Sequence, residues 1–363
     1  MTADSPADLR ARCTRFLPGH GPATARRWLD SLAASPHLDL RLDEYNEGPA
    51  ITLLERRCAE LLGKPAALFF HKGVVAQQAA LLVHAARTGR QTVALHPKTH
   101  IACDESDAIE RLTPLRLCRV GPDHRPFTPA ELAAVTDPLA AVSLELPLRR
   151  TAFQATGWED LETIAGWCRD RGVPLHLDGA RLWEVQPWLD RPLAAIAALA
   201  DTVYVSFYKG LGGLGGCVLA GPEDVIAATR VWRSRFGGNL FTAWPLVLSA
   251  LDGLDRHLPR MGLYHRHARA IADALATVPG LRVNPGTPHC NSFQILWDAP
   301  PAGLEQALTG LARDEGIWAG VRVGGTTVPG WSFTELAVGE ATLAWTPAEV
   351  AKLCARVLER VPR

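Results

Sequence analysis

Lys209 and Asp178 are the residues whose types and surroundings most directly imply chemistry. Lys209 lies in Tyr204-Val205-Ser206-Phe207-Tyr208-Lys209-Gly210-Leu211-Gly212-Gly213, a glycine-rich turn after an apolar run, and Asp178 lies in His176-Leu177-Asp178-Gly179-Ala180-Arg181. Of the 38 lysines and arginines in the chain, only five are lysine: Lys64, Lys72, Lys98, Lys209 and Lys352. A lysine kept among so many arginines points to a need for an amine. An amine can lose its proton and condense with an aldehyde, whereas a guanidinium stays charged and is a poor nucleophile. An aspartate against a pyridine nitrogen keeps that nitrogen protonated and makes the ring an electron sink. The pair therefore suits an aldehyde-bearing pyridine, pyridoxal 5'-phosphate.

Asp178 ends a mostly apolar strand, Pro174 to Leu177, which sets its carboxylate at the rim of a sheet. Alone, Asp178-Gly179 also fits an ordinary turn; Arg181 and Lys209 downstream favour the functional reading. Arg181 can hydrogen-bond the phenolic oxygen of the cofactor, or form a salt bridge within the domain. Lys209 follows Asp178 by 209 − 178 = 31 residues, room for one helix and one strand, so both side chains can face one cleft. Ser206 can donate to a phosphate or satisfy a turn. His100, just beyond the run Val93-Ala94-Leu95, can stack on a ring and relay protons, since an imidazole titrates near neutrality. Lys72-Gly73-Val74 lies between a strand and a helix start, where backbone amides bind phosphate and Lys72 adds charge.

These residues need elements to hold them. Candidate strands are Ala66–Phe70, Thr92–Leu95, Leu115–Val120, Ala141–Leu146, Pro174–Leu177, Thr202–Val205 and Cys217–Ala220, separated by amphipathic stretches such as Trp158–Arg171. Apolar strands alternating with helices predict an α/β fold with a mostly parallel seven-stranded sheet, and functional groups at the carboxyl ends of its strands. Beyond about residue 251 come two long helices, apolar runs at Leu281–Val283 and Ser292–Trp297, and a terminal helix opened by the capping box Thr346-Pro347-Ala348-Glu349. The predicted organisation is an N-terminal arm over 1–45, a large cofactor-binding domain over 46–250 and a small C-terminal α+β domain over 251–363.

At 363 residues, 47% hydrophobic and 21% charged, the chain can bury a large core. A formal net charge of zero gives no long-range field for nucleic acid or an anionic membrane, which leaves a small molecule as the partner. The eight cysteines are scattered without a CxxC pair and read as small buried hydrophobes, not as a disulfide frame or a metal site. With no secretory pattern at the start and no run of membrane-spanning length, a cytoplasmic protein is expected.

The chain resembles the L-threonine aldolase group of fold-type I pyridoxal phosphate enzymes, close to the β-eliminating lyases. The resemblance rests on Asp43-Glu44-Tyr45, Leu54-Glu55, Leu61-Leu62-Gly63-Lys64, His100-Ile101 with Glu105, His176 to Leu182, Ser206 to Gly212, and Trp232-Arg233 with Gly237-Gly238. It implies Lys209 as the cofactor-bearing lysine, a ring-stacking His100, Asp178 on the ring nitrogen, and a site shared between subunits of a homodimer or homotetramer. The implied activity is Cα–Cβ cleavage of a β-hydroxy amino acid to glycine and an aldehyde. β-Elimination, transaldol-type transfer or transamination on the same fold are the alternatives, as is a cofactor-holding protein without turnover.

The chain departs from the group at several points. Lys72-Gly73-Val74 replaces Ser-Gly-Thr, Leu240 and Phe241 replace a methionine and a phosphate-binding arginine, and Glu145-Leu146-Pro147 replaces Glu-Asn-Thr. The segment from Thr334 to Thr342 has no arginine for a substrate carboxylate; Arg15, Arg149, Arg150 and Arg322 are the substitutes considered. Lys72 with Arg233 or Arg235 is expected to supply the phosphate charge.

Overall fold

The structure, a computed structural model, describes residues 5–22 and 24–362; residues 1–4 and 23 of the expected arm, and residue 363 of the expected C-terminal domain, lie outside it. The chain forms two compact units: Leu29–Pro259, and the described residues of Met1–Trp28 with Arg260–Arg363.

In the larger unit all seven expected strands form. They are β1 (Ala66–Phe70), β2 (Thr92–Leu95), β3 (Arg116–Arg119), β4 (Leu139–Glu145), β5 (Leu175–Gly179), β6 (Thr202–Ser206) and β7 (Cys217–Gly221), in the spatial order β1-β7-β6-β5-β4-β2-β3. The five from β2 to β6 pair in parallel, whereas β7 runs antiparallel to both neighbours, β6 and β1. Central strands β5 to β7 are buried at every position, as expected where helices cover both faces of a sheet.

Helix α1 (Pro49–Leu62) leads into β1, and α2 (Gly73–Thr88) leaves it. Helix α2 is buried at every residue from Ala76 to Ala85. Its small residues Ala76, Ala79 and Ala80 lie in one apolar cluster with Leu68, Phe70, Tyr204, Leu219 and Ile226. Alanine minimises the distance between helix and sheet and costs no side-chain entropy, so a helix surrounded by structure can approach the strands closely. Leu81 and Leu82 continue the core onto Val93, Leu95, Ala140 and Ala141. Helix α3 (Trp158–Asp170) precedes β5 and α4 (Leu182–Leu189) follows it.

The smaller unit holds β8 (Leu281–Asn284), β9 (Ser292–Trp297) and β10 (Ser332–Ala337), paired antiparallel in the order β10-β9-β8. Its last helix, Pro347–Glu359, opens with the expected capping box: Thr346 Oγ accepts from the Glu349 amide and the Glu349 carboxylate accepts from the Thr346 amide.

The domain boundaries differ from those expected. A cut at residue 250 would sever the helix Trp244–Arg256, and the break falls after Pro259. The segment ending at Trp28 belongs to the smaller unit and is not an arm of the larger one. Arg15 and Phe16 pair in parallel with Ile317 and Trp318, and Leu9, Cys13 and Phe16 are buried with Ala312, so apolar contact fixes this segment at its far end in sequence.

Candidate active site

Lys209, Asp178, His100 and the Lys72-Gly73-Val74 turn meet at the carboxyl ends of strands of the larger unit. Lys72, Gly73, Val74, Gln77, His100, Glu105, Glu145, Asp178, Ala180, Tyr204, Tyr208 and Lys209 line one pocket. A more open cleft of about 340 Å³ between Cys168, Leu175 and Asp201 lies at the opposite, amino edge of the sheet, away from all of them.

Lys209 follows β6. Its turn is held by Trp183 Nε1 donating to the Ser206 carbonyl (3.0 Å), by the Gly213 amide on the Phe207 carbonyl (2.8 Å), and by the Gly210 amide on Glu184 Oε1 (2.7 Å). A Cβ at Gly210 would lie 2.5 Å from the Glu184 side chain, so glycine is required for the carboxylate to reach that amide. Burial, with the Arg181 guanidinium nearby, holds the Lys209 amine below the ordinary lysine range, which favours the neutral, nucleophilic form.

Asp178, 2% exposed, accepts from the Ala180 amide (Oδ1, 3.1 Å) and from Gln77 Nε2 (Oδ2, 2.8 Å). His100 opens a short helix, its amide donating to Glu145 Oε2 (2.7 Å) and its Nδ1 lying 2.8 Å from Glu105 Oε1. The Glu105 side chain is only 1% exposed, and its hydrogen bond raises the imidazole's pKa despite partial burial. Glu145, at the end of β4, also accepts from the Arg149 amide (3.1 Å). Burial, reinforced by neighbouring Asp178, pushes its carboxyl up to about 7.

At the far side Lys72 precedes α2, and its Nζ lies 5.8 Å above the Tyr208 ring. A Cβ at Gly73 would come within 2.2 Å of the Tyr204 hydroxyl, so only glycine lets the helix begin beside that ring. The Gly73 and Val74 amides are at the positive end of the helix, as an anion requires.

Several of the expected contacts are taken up by protein partners. Ser206 gives its single hydroxyl proton to the Ala180 carbonyl (2.8 Å), tying two strand ends together and leaving no donor for a phosphate. Arg233 is buried and spent on the Phe69 carbonyl (2.8 Å) and Asn239 Oδ1 (3.2 Å), while Arg235 lies over the Trp232 ring. Neither arginine is among the residues that line the pocket. Arg181 is not among them either: it lies over the Phe153 ring, 3.4 Å from Glu184 Oε1, with its Nε unpartnered and buried.

Of the arginines considered for a carboxylate, Arg150 pairs with Asp104 and Arg15 lies over Trp345 in the smaller unit. Gln77, Tyr204 and Tyr208 were not singled out as site residues from sequence. Gln77 sits one helical turn after Gly73, a spacing that marks a residue facing the same way, but glutamine carries no chemical signature of its own.

A lysine of lowered basicity, a buried carboxylate, an imidazole and a helix N-terminus in one pocket of a mostly parallel sheet fit the aldehyde, ring nitrogen, ring face and phosphate of pyridoxal phosphate respectively. The unpartnered, buried Glu105 Oε2 also leaves an acceptor there. This fold and donor set define the fold-type I pyridoxal phosphate enzymes.

Comparison with known proteins gives the narrower class. The β-eliminating lyase family model matches residues 37–295, and the chain belongs to that family. It is 28% identical over 252 residues, 67% of its length, to low-specificity L-threonine aldolase 1 of Arabidopsis thaliana, of which 70% is covered. It is 31% identical over 248 residues to aldolase vrtJ of Penicillium aethiopicum, 66% of this chain and 63% of that one. A crystal structure from Exiguobacterium sp. 255-15, provisionally named an aromatic amino acid β-eliminating lyase/threonine aldolase, superposes with a TM-score of 0.90 at 34% identity, covering 97% of this chain and 99% of that one. The protein is accordingly a pyridoxal phosphate-dependent lyase, similar in sequence and structure to the threonine aldolases.

Proposed function

We propose that the protein cleaves the Cα–Cβ bond of a β-hydroxy amino acid, releasing glycine and an aldehyde, with Lys209 as the residue that carries the cofactor. The observation that supports this most is the convergence on one pocket of an amine of lowered basicity and, apart from it, an imidazole made more basic by a buried glutamate. Pyridoxal phosphate, when bound, supplies the electron sink for the pair left on Cα. Lys209 would hold it covalently, and Asp178 would keep its ring nitrogen protonated. The Gly73 and Val74 amides with Lys72 would hold the phosphate. His100 would pack against the cofactor, and its pairing with Glu105 would suit it to accept the β-hydroxyl proton as the bond breaks.

The test is to load the purified protein with pyridoxal 5'-phosphate and supply the threonine and allo-threonine stereoisomers, with products identified by mass spectrometry. Equimolar glycine and acetaldehyde are expected. A 2-oxo acid with ammonia would assign β-elimination instead, and a stable visible band with no turnover of any amino acid would assign a cofactor-holding role.

A further inference from the structure

Behind Asp178 lies a row of buried polar side chains with no part in the steps described above. Gln77 Nε2 donates to Asp178 Oδ2 at 2.8 Å, and Gln77 Oε1 lies 3.3 Å from His176 Nε2. His176 Nδ1 and His84 Nε2 each lie 2.8 Å from the same atom, Thr202 Oγ1. All four side chains belong to residues no more than 2% exposed. The elements make this row continuous: His176 and Thr202 are register partners on β5 and β6, two residues toward the amino end from Asp178 and Tyr204 paired the same way. Gln77 and His84 are two turns apart on α2, hence on one side of the helix.

The donors and acceptors have one self-consistent order. An ionised carboxylate only accepts, so Gln77 turns its NH2 toward Asp178 and its carbonyl oxygen accepts from His176 Nε2–H. A neutral imidazole has one N–H, so His176 Nδ1 accepts the Thr202 hydroxyl proton. The Thr202 oxygen is then left to accept from His84 Nε2–H. Burial keeps both rings neutral, pulling His176 down to about 3 and His84 to about 4.

We propose that Gln77, His176, Thr202 and His84 are positioning residues for the reaction: a hydrogen-bond row of fixed polarity that holds the Asp178 carboxylate in place and aims its remaining lone pairs at a cationic ring N–H. This rests on the reading of Asp178 as partner of the cofactor's ring nitrogen. A carboxylate has about four lone-pair sites, and the donors from Gln77 and Ala180 occupy two, leaving capacity on the pocket side. Hydrogen bonds to a charged acceptor are about twice as strong as neutral ones, so the first link of the row bears most directly on Asp178.

The row can be examined without cofactor. Nitrogen-15 spectra of the histidines in the unloaded protein are expected to show His84 and His176 as neutral Nε2–H tautomers between about pH 5.5 and 8. A protonated ring, or the Nδ1–H tautomer at His176, would overturn the proposal. In the protein loaded with pyridoxal 5'-phosphate, Gln77→Leu is expected to lower kcat about tenfold with KM little changed, and to move the pH midpoint of the bound cofactor's visible band. Thr202→Val, which cuts the row two residues further out, is expected to act in the same direction by a factor of about two to three. An unchanged kcat and visible band in folded Gln77→Leu would overturn it, and if neither variant folds the wild-type tautomers decide. Full activity in Asp178→Asn would instead defeat the underlying reading of Asp178, whatever the tautomers show.

Discussion

Glu145 and Lys209 occupy one pocket and are both pushed toward their neutral forms, chiefly by burial. The consequence differs in sign. Glu145 has a folded-state pKa of about 7, above that of an unfolded glutamate. It therefore contributes stability that is present below about pH 4.5 and lost as pH rises through about 7. Glu145→Gln should abolish that loss, so denaturant titrations of the two proteins should diverge between about pH 4.5 and 7, with wild type the one that weakens. Parallel pH profiles would show that the carboxyl is not perturbed. For Lys209, whose basicity is lowered, the proposed covalent attachment predicts that borohydride reduction of the loaded protein followed by peptide mapping finds the adduct on Lys209. An adduct on Lys72 would reassign the attachment, since Lys72 lines the same pocket.

At the scale of elements, the start of α2 beside Tyr204 is the most constrained junction in the site. Gly73→Ala forces a methyl into the tyrosine hydroxyl, so helix or ring must shift; a destabilisation of about 1–3 kcal/mol is expected, with weaker pyridoxal 5'-phosphate binding by absorbance titration. Unaltered melting and affinity would mean the junction yields freely. Sequence periodicity placed β1, β2 and β9 to the residue because each is a short, mostly apolar run bounded by turn residues. Strand β10 escaped because its residues Phe333, Thr334 and Glu335 are only partly buried, giving no apolar run. Lys209, Asp178 and His100 stand out in the sequence because amine, carboxylate and imidazole carry distinct chemistry, and the fold places all three in one pocket. Ser206 and Arg233 misled for the complementary reason: a side chain's capacity to bind is read from its type, but whether a backbone carbonyl already uses it depends on tertiary structure.

At the scale of the whole molecule, the described residues include no helix long and apolar enough to cross a membrane. The larger unit exposes Leu42, Tyr45 and Phe241, with the Tyr45 and Phe241 rings 5.5 Å apart edge to face. Exposed aromatics in contact are costly for an isolated subunit and suit a covered surface. We propose that the protein is a homodimer or homotetramer covering this patch. Light scattering should give a multiple of the 39.3 kDa chain mass, and Phe241→Asp should shift the population toward smaller species. A wild-type mass of one chain would refute it.

The antiparallel course of β7 bears on how the site is assembled in time. Parallel neighbours in the sheet must each wait for a crossover segment to close, but β6 and β7 are successive strands joined by the short turn that carries Lys209. Loop-closure entropy grows with the length of chain enclosed, so this pairing has the lower contact order. The attachment lysine is thus built on a local hairpin, while Asp178 and His100 reach it only through longer-range pairings. Pulse-labelled hydrogen exchange during refolding should protect the amides across the β6–β7 pair before those joining β5 to β4; the reverse order would show that the hairpin forms only on a finished sheet.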